Sequence, residues 1–253
     1  MDKDTRRNEI EELIRENKEL NVNEIRRRYN ISNVTVRNDL IYLERKGVIT
    51  RQFGKAVLRE DRLQTSFDIN NIKNLNEKEK IGKYAASLIG DNESVMLYTG
   101  TTTLQIARFI GDGKSFIAVT NSIYIAYELR RNTPNTKIVV IGGNFNPQTG
   151  STYGEDAVRQ LEAYNIDKLF LAVDGIDAQR GITNAQPYET DINRAMIHKA
   201  KKVIVVADFT KIGAVSFVNM GSISDVDMLI TDSKAPEDKI QQIRDKGVQV
   251  VTV

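Results

Sequence analysis

The chain contains no cysteine and a single histidine, His198. Without thiols there can be no disulfide framework and no thiolate metal site. One imidazole excludes a multi-histidine metal centre, and a histidine-based triad would have to rest on His198 alone. His198 falls with Met196 and Ile197 on a predicted helix, where it reads as a surface or half-buried side chain. The 4 prolines and 16 glycines exclude a low-complexity chain. No apolar run approaches the roughly 18 residues of a membrane-crossing helix. The opening Met1-Asp2-Lys3-Asp4-Thr5-Arg6-Arg7 is charged where a secretory leader is apolar, so a cytoplasmic protein without a membrane partner is expected.

What remains is an ordinary globular composition, 40% hydrophobic and 28% charged over 253 residues, long enough for two unequal domains. The net charge of +2 is unevenly spread. Asn21 to Arg59 holds nine basic residues against three acidic ones, an excess of six, which leaves the rest of the chain with an excess of four negative charges. A local excess of that sign suits a polyanion, nucleic acid first, although a solvated helical face has the same composition.

Pattern decides between the two. Ile10, Leu13 and Ile14 recur at helical spacing and predict an amphipathic helix ending before Lys18-Glu19-Leu20. A short second helix opens at Asn21, with Glu24 three residues on in capping-box fashion, and carries Val22, Ile25 and Tyr29 on one face. Asn30-Ile31 makes the turn, Ser32 caps a third helix with the core stripe Val36, Leu40 and Leu43, and Gly47 stops it. Asn33, Thr35, Arg37 and Asn38 fall off that stripe near the helix start, where such side chains reach base edges in a major groove. Val48–Arg51 and Ala56–Leu58 flank a turn at Phe53-Gly54-Lys55 and predict a hairpin wing tipped by Arg51 and Lys55, placed for phosphates or the minor groove. Arg26, Arg27 and Arg28 lie on the second helix, either facing solvent or contacting the DNA backbone.

The run Ile31-Ser32-Asn33-Val34-Thr35-Val36-Arg37-Asn38-Asp39-Leu40, then Leu43-Glu44 and Gly47, resembles the helix-turn-helix signature of the DeoR family of bacterial regulators, roughly V-S-x-x-T-[IV]-R-[RN]-D-L-x-x-L-E-x-x-G. In the wing that family reads R-x-x-G-G-A. This chain has Arg51-Gln52-Phe53-Gly54-Lys55-Ala56, which loses the second glycine and gains a phosphate partner.

The segment from Leu63 to Asn76 lacks periodicity and holds Asn70-Asn71, so an extended linker is expected over 61–76, between a winged helix-turn-helix at 1–60 and an α/β domain at 77–253. Strands are predicted at Val95–Tyr98, Phe116–Thr120, Lys137–Ile141, Lys168–Val173, Val203–Ala207, Met228–Thr231 and Val248–Val253, with helices between them. Short β-branched runs alternating with helices imply a mostly parallel sheet buried on both faces. Open sheets of this kind place ligands at the ends of strands. There, Thr99-Gly100-Thr101-Thr102-Thr103 follows a strand and opens a helix, a combination of free N–H groups and hydroxyls suited to a phosphate. Thr120-Asn121-Ser122 repeats the arrangement, and Gly142-Gly143 gives a third close-approach loop.

With Asp174-Gly175-Ile176, Gly181-Ile182-Thr183, Glu189 and Asp208-Phe209-Thr210-Lys211, the series resembles the DeoR sensor domain in order and spacing, so the resemblance covers nearly the whole chain. It implies a fold related to ribose-5-phosphate isomerase and CoA transferases, and a phosphorylated sugar or sugar derivative as effector. By that similarity the Gly100–Thr103 loop holds the phosphate, Asn121 and Asp174 bond sugar hydroxyls, and Lys211 neutralises charge. The family's usual run is D-[SA]-G-T-T. Here Tyr98 and Thr99 stand in its first two places, which removes a carboxylate able to accept a hydroxyl. The function implied is a sequence-specific regulator, a repressor of a sugar-metabolism operon, acting on operator DNA as a dimer or tetramer without a cofactor. Two other readings stay open. One is an isomerase-like or CoA-transferase-like enzyme using Asp174, Glu189 and Lys211; the other is a DNA-binding structural protein whose α/β domain takes no ligand.

Overall fold

Asp2 accepts the free N–H groups of Asp4 and Thr5 and starts α1 (Lys3–Asn17) in the computed structural model, which describes residues 2–52, 54–58 and 66–253. The chain forms two compact units, up to residue 68 and from residue 69 onward.

In the first unit, β1 (Glu19–Asn21) leads into α2 (Val22–Tyr29), α3 (Asn33–Arg45), β2 (Ile49–Gln52) and β3 (Lys55–Leu58). Asn21 caps α2 by accepting the Asn23 N–H, so its bond reaches the second helical residue rather than Glu24. Ser32 caps α3 through the Thr35 N–H. The end of α3 is closed by two bonds, Gly47 N–H to Glu44 and Val48 N–H to Leu43, with Gly47 in the left-handed conformation. β2 and β3 form the expected hairpin, and β1 joins it on the far side of β3 as a third, unpredicted strand. Ile10, Ile14, Ile25, Val36, Leu40, Leu43 and Ile49 are buried together as the core of this unit.

The second unit contains α4 (Ser66–Ile72), which begins just before the division, and α5 (Leu75–Ser87). The extended linker expected over 61–76 is therefore helical in its described part. A seven-residue helix is about two turns, too short to display a period, and Asn70-Asn71 imitates a loop. β4 (Ser94–Leu97), α6 (Thr101–Phe109), β5 (Ile117–Thr120), α7 (Ile123–Asn132) and β6 (Lys137–Val140) follow. A hairpin, β7 (Asn144–Asn146) with β8 (Ser151–Tyr153), leads to α8 (Glu155–Glu162) and β9 (Ile166–Ala172). Then come β10 (Gly175–Asp177), β11 (Gly181–Asn184), α9 (Thr190–Lys199), β12 (Ala200–Val206), β13 (Val218–Gly221), β14 (Met228–Thr231), α10 (Glu237–Arg244) and β15 (Gln249–Thr252).

The seven predicted strands make one wholly parallel sheet in the order β15-β14-β12-β9-β4-β5-β6. The chain starts at β4, runs outward through β5 and β6, returns to β9 beside β4, and runs outward the other way. The switch point lies between the carboxyl ends of β4 and β9, where a doubly wound sheet leaves a crevice. The small antiparallel sheet β10-β11-β13 sits on the segment after β9 and was not predicted, because its three- and four-residue strands hold the glycine, asparagine and aspartate of loops. Among the described residues no helix is long and apolar enough to cross a membrane.

Candidate functional site

Two sets of polar side chains meet the description of a site, one in each unit. In the first unit, α3 buries Val36, Leu40 and Leu43 and turns Asn33, Arg37 and Asn38 outward. Among the described residues, no side-chain hydrogen bond or ion pair holds Arg37, Asn33 or Asn38. Thr35 behaves differently: its N–H and its hydroxyl both engage the Ser32 hydroxyl, so these two residues form the cap instead of presenting free donors. Arg26, Arg27 and Arg28 are exposed on α2.

What holds α3 in place was not foreseen. Asp39, 1% exposed, accepts Arg6 Nε at 2.7 Å and Arg7 Nε at 2.8 Å, tying α1 to α3. Arg7 in turn lies 4.1 Å from the centre of the Tyr42 ring. The signal was the aspartate of the signature, facing the core stripe with two arginines upstream to meet it.

The wing cations are not free. Arg51 pairs with Glu44 at 2.7 Å, and Lys55 with Glu19 at 2.6 Å. Gly54 has φ +80°, and Lys55 already lies in strand register opposite Gln52. The turn therefore requires a glycine at 54 and none at 55, which is why a lysine can occupy the second place. Phe53 lies outside the described residues.

In the second unit the three predicted loops have different fates. Gly100 has extended backbone, and its requirement is space: a Cβ there would lie 2.4 Å from the Ala172 Cβ on β9. The turn thus brings the start of α6 directly over the switch point, with Gly100 and Thr101 partly exposed. Thr102 is buried, and the buried Thr103 hydroxyl donates to the Gly100 carbonyl. That leaves the N–H groups of Gly100 and Thr101 and the Thr101 hydroxyl as donors on the partly exposed residues of the loop.

Thr120, Asn121 and Ser122, one strand further out, are wholly buried and used internally. Asn121 accepts the Thr99 N–H at 3.0 Å and donates to the Thr152 carbonyl, while Thr120 donates to Leu97 and accepts the Ser122 N–H. Ser122 caps α7 through Ile125. Both sides of the Asn121 amide are thus engaged by the protein, and one of them braces the Thr99 end of the Gly100–Thr103 loop. Gly142 donates to Gln160 Oε1, and Gly143 lies against the Tyr153 carbonyl, so the third loop closes the β7–β8 hairpin.

On the other side of the switch point, Asp174 and Lys211 come together at 3.7 Å, both partly exposed, and Asp174 also accepts the Ala185 N–H. Gly175 packs against the Ala214 carbonyl. Glu189 is set apart from them. It is buried, accepting the Tyr98 hydroxyl at 2.6 Å on one oxygen and the Ser151 hydroxyl at 2.8 Å on the other. Asn184 donates to the Tyr98 oxygen. Burial, then the neighbouring Glu189 carboxylate, pushes the Tyr98 phenol well above its usual pKa and keeps it a donor.

One cation was missed. Lys78, near the start of α5, is 4% exposed, donates to the Asn70 carbonyl at 2.6 Å and lies 4.0 Å from Asp208. Burial lowers its pKa to about 8, against the opposing pull of Asp208 and with a further push from Lys211. α5 and α6 run side by side, with Gly82 against Gln105, which sets Lys78 at the same end of the sheet as Thr101. In sequence it hides in Glu77-Lys78-Glu79-Lys80, which reads as a solvated face.

The two units each match a known family model, the DeoR-like helix-turn-helix domain over residues 6–62 and the DeoR C-terminal sensor domain over residues 73–233. The chain is 33% identical over 251 residues to a putative aga operon transcriptional repressor of Escherichia coli O157:H7, covering 98% of this chain and 93% of that one. It is 28% identical to the glycerol-3-phosphate regulon repressor of Escherichia coli K12, over 97% of both. Ribose 5-phosphate isomerase A of Methanocaldococcus jannaschii superposes on 55% of the chain and 55% of its own at 18% identity and a TM-score of 0.41, too loosely to carry an argument. Signature, topology and full-length relatives agree, and the chain belongs to the DeoR family of transcriptional regulators.

Proposed function

We propose that this regulator represses a sugar-metabolism operon in the cytoplasm, reading its operator as a dimer or tetramer and releasing it when a phosphorylated sugar binds the second unit. The observation that carries the DNA half is the free outward face of α3, where Asn33, Arg37 and Asn38 stand unpaired on a helix anchored by Asp39. Relatives named as repressors, one of them for the glycerol-3-phosphate regulon, support the sign and the sugar connection. The effector half rests on the switch point. Gly100 and Thr101 supply N–H groups at a helix start, Lys78 and Lys211 supply charge, and Asp174 is placed for a hydroxyl. Binding of a dianion there favours a charged Lys78.

Gel-shift titration tests the first half: Arg37→Ala is expected to weaken specific operator binding by about 1–3 kcal/mol with little effect on random duplex. Unchanged specific affinity would remove α3 from the groove. Isothermal titration with a panel of sugar phosphates tests the second half. A ligand that binds and lowers operator affinity, by about 1–3 kcal/mol of coupling, is the expected result. Tight binding with unchanged operator affinity would remove the sensor role, and turnover of the ligand would favour the enzyme reading.

A further inference from the structure

Val34 stands out on the face of α3 assigned above to the operator. It is 68% exposed on the helix's first turn. It lies three residues before Arg37 and four before Asn38, so the three side chains share one face, one turn apart. The helix does not need it for packing, because Val36, Leu40 and Leu43 already fill the opposite side. A β-branched apolar residue also gains nothing as a helix former in water. Its stiff side chain presents two methyl groups in a fixed direction among amide and guanidinium donors.

In a major groove the base edges are polar except at one place, the C5-methyl group of thymine. We infer that Val34 is a specificity-determining residue that packs on a thymine methyl in each operator half-site, beside the base pair read by Arg37. This rests on the placement of α3 in the groove, and the test separates the two. Thr35, the other side chain of that turn with a methyl group, is held in the cap by Ser32, so the contact falls to Val34.

The experiment uses the full-length protein and an operator duplex selected by it from a random pool. Thymines are replaced one at a time by deoxyuridine, which removes only the methyl group. Wild type is expected to lose about threefold to fivefold in affinity at one position per half-site, the worth of roughly one buried methyl. Val34→Ala should bind the normal operator more weakly by a similar factor and show no further loss at that position. Arg37→Ala should bind more weakly overall yet keep the deoxyuridine penalty. Val34 is exposed, so circular dichroism should show an unchanged fold for its variant. If no thymine is methyl-sensitive, or if Val34→Ala retains the full penalty, the assignment is overturned while a weakened Arg37→Ala still upholds α3. If Arg37→Ala binds as wild type, the placement of the helix itself fails.

Discussion

The polar side chains of the two units are used in opposite ways. On α3 the candidates Asn33, Arg37 and Asn38 point outward with no side-chain bond among the described residues, Thr35 alone being drawn into the cap, and the helix is fixed by a different, buried group, Asp39 with Arg6 and Arg7. In the α/β unit most candidates point inward. Asn121, Thr120, Ser122, Thr103 and Glu189 all have their polar atoms engaged by neighbours. A DNA-reading surface is convex and needs free donors, whereas a sheet-end crevice is concave and must satisfy the polar groups that shape it. Residue type alone identifies a recognition helix more readily than it identifies which residues of a pocket touch the ligand.

The largest effect should come from the clamp. Asp39→Ala leaves two guanidinium groups without their carboxylate, and a loss of about 3–5 kcal/mol in the unfolding free energy of the first unit is expected in denaturant titration. A loss below about 1 kcal/mol would mean that the clamp is ornamental and that packing alone sets α3.

Gly100→Val comes next. The new side chain meets Ala172, so overpacking of about 1–3 kcal/mol is expected in the second unit, together with loss of effector response. A rescue pair sharpens the comparison: Gly100→Ala should be destabilising and Ala172→Gly should relieve it, because the two Cβ atoms compete for one space. If stability returns but response does not, the glycine also serves ligand approach. Without any rescue of stability, the contact with β9 is not its reason.

Lys78 gives a pH signature. Its folded pKa, about 8, is below the ordinary lysine value of 10.5, so its charged form is disfavoured by folding. That cost is present in full below pH 8 and disappears as pH rises toward 10.5, so this group alone makes stability rise with pH across that window. Effector affinity should go the other way, weakening as pH rises through about 8 because an anion prefers the ammonium. Lys78→Met should remove both dependences, as read by calorimetric titration in buffers of different ionisation heat. An unchanged affinity profile in the variant would take Lys78 out of the site.

The smallest effect is expected at Lys211. Its pair with Asp174 is half exposed, so Lys211→Ala should change stability by no more than about 1 kcal/mol while weakening phosphate binding. Equal losses in both would show that the lysine is structural.

How much of this was legible follows the same divide. The inner parallel strands were readable because burial on both faces leaves them as apolar runs, such as Val203–Val206 or Met228–Thr231, while the edge strands β6 and β15, partly exposed, were readable from their β-branched runs. The helix-turn-helix was readable because Ser32, Val36, Leu40 and Gly47 are each fixed by a local rule. The small sheets were not, since Gly175–Asp177 and Asn144–Asn146 are strands only through their partners. The burial of Asn121 was not legible because a buried asparagine and an exposed one have the same sequence, and Lys78 was missed because its burial comes from α4 and Asp208, distant along the chain or disguised as linker.

The ion pairs of the wing bear on how such a regulator finds its site. Cations that are free bind any duplex, and a genome offers vastly more random sites than operators. If the wing docks on the DNA backbone, Lys55 held by Glu19 and Arg51 held by Glu44 would each have to leave a carboxylate before meeting a phosphate. That exchange would tax every encounter alike, but a site already held by α3 would present its phosphates at a fixed place and recover the cost, whereas a passing contact would not. Occupancy of the operator depends on the ratio of specific to random binding, and on that docking two wing glutamates would contribute to it.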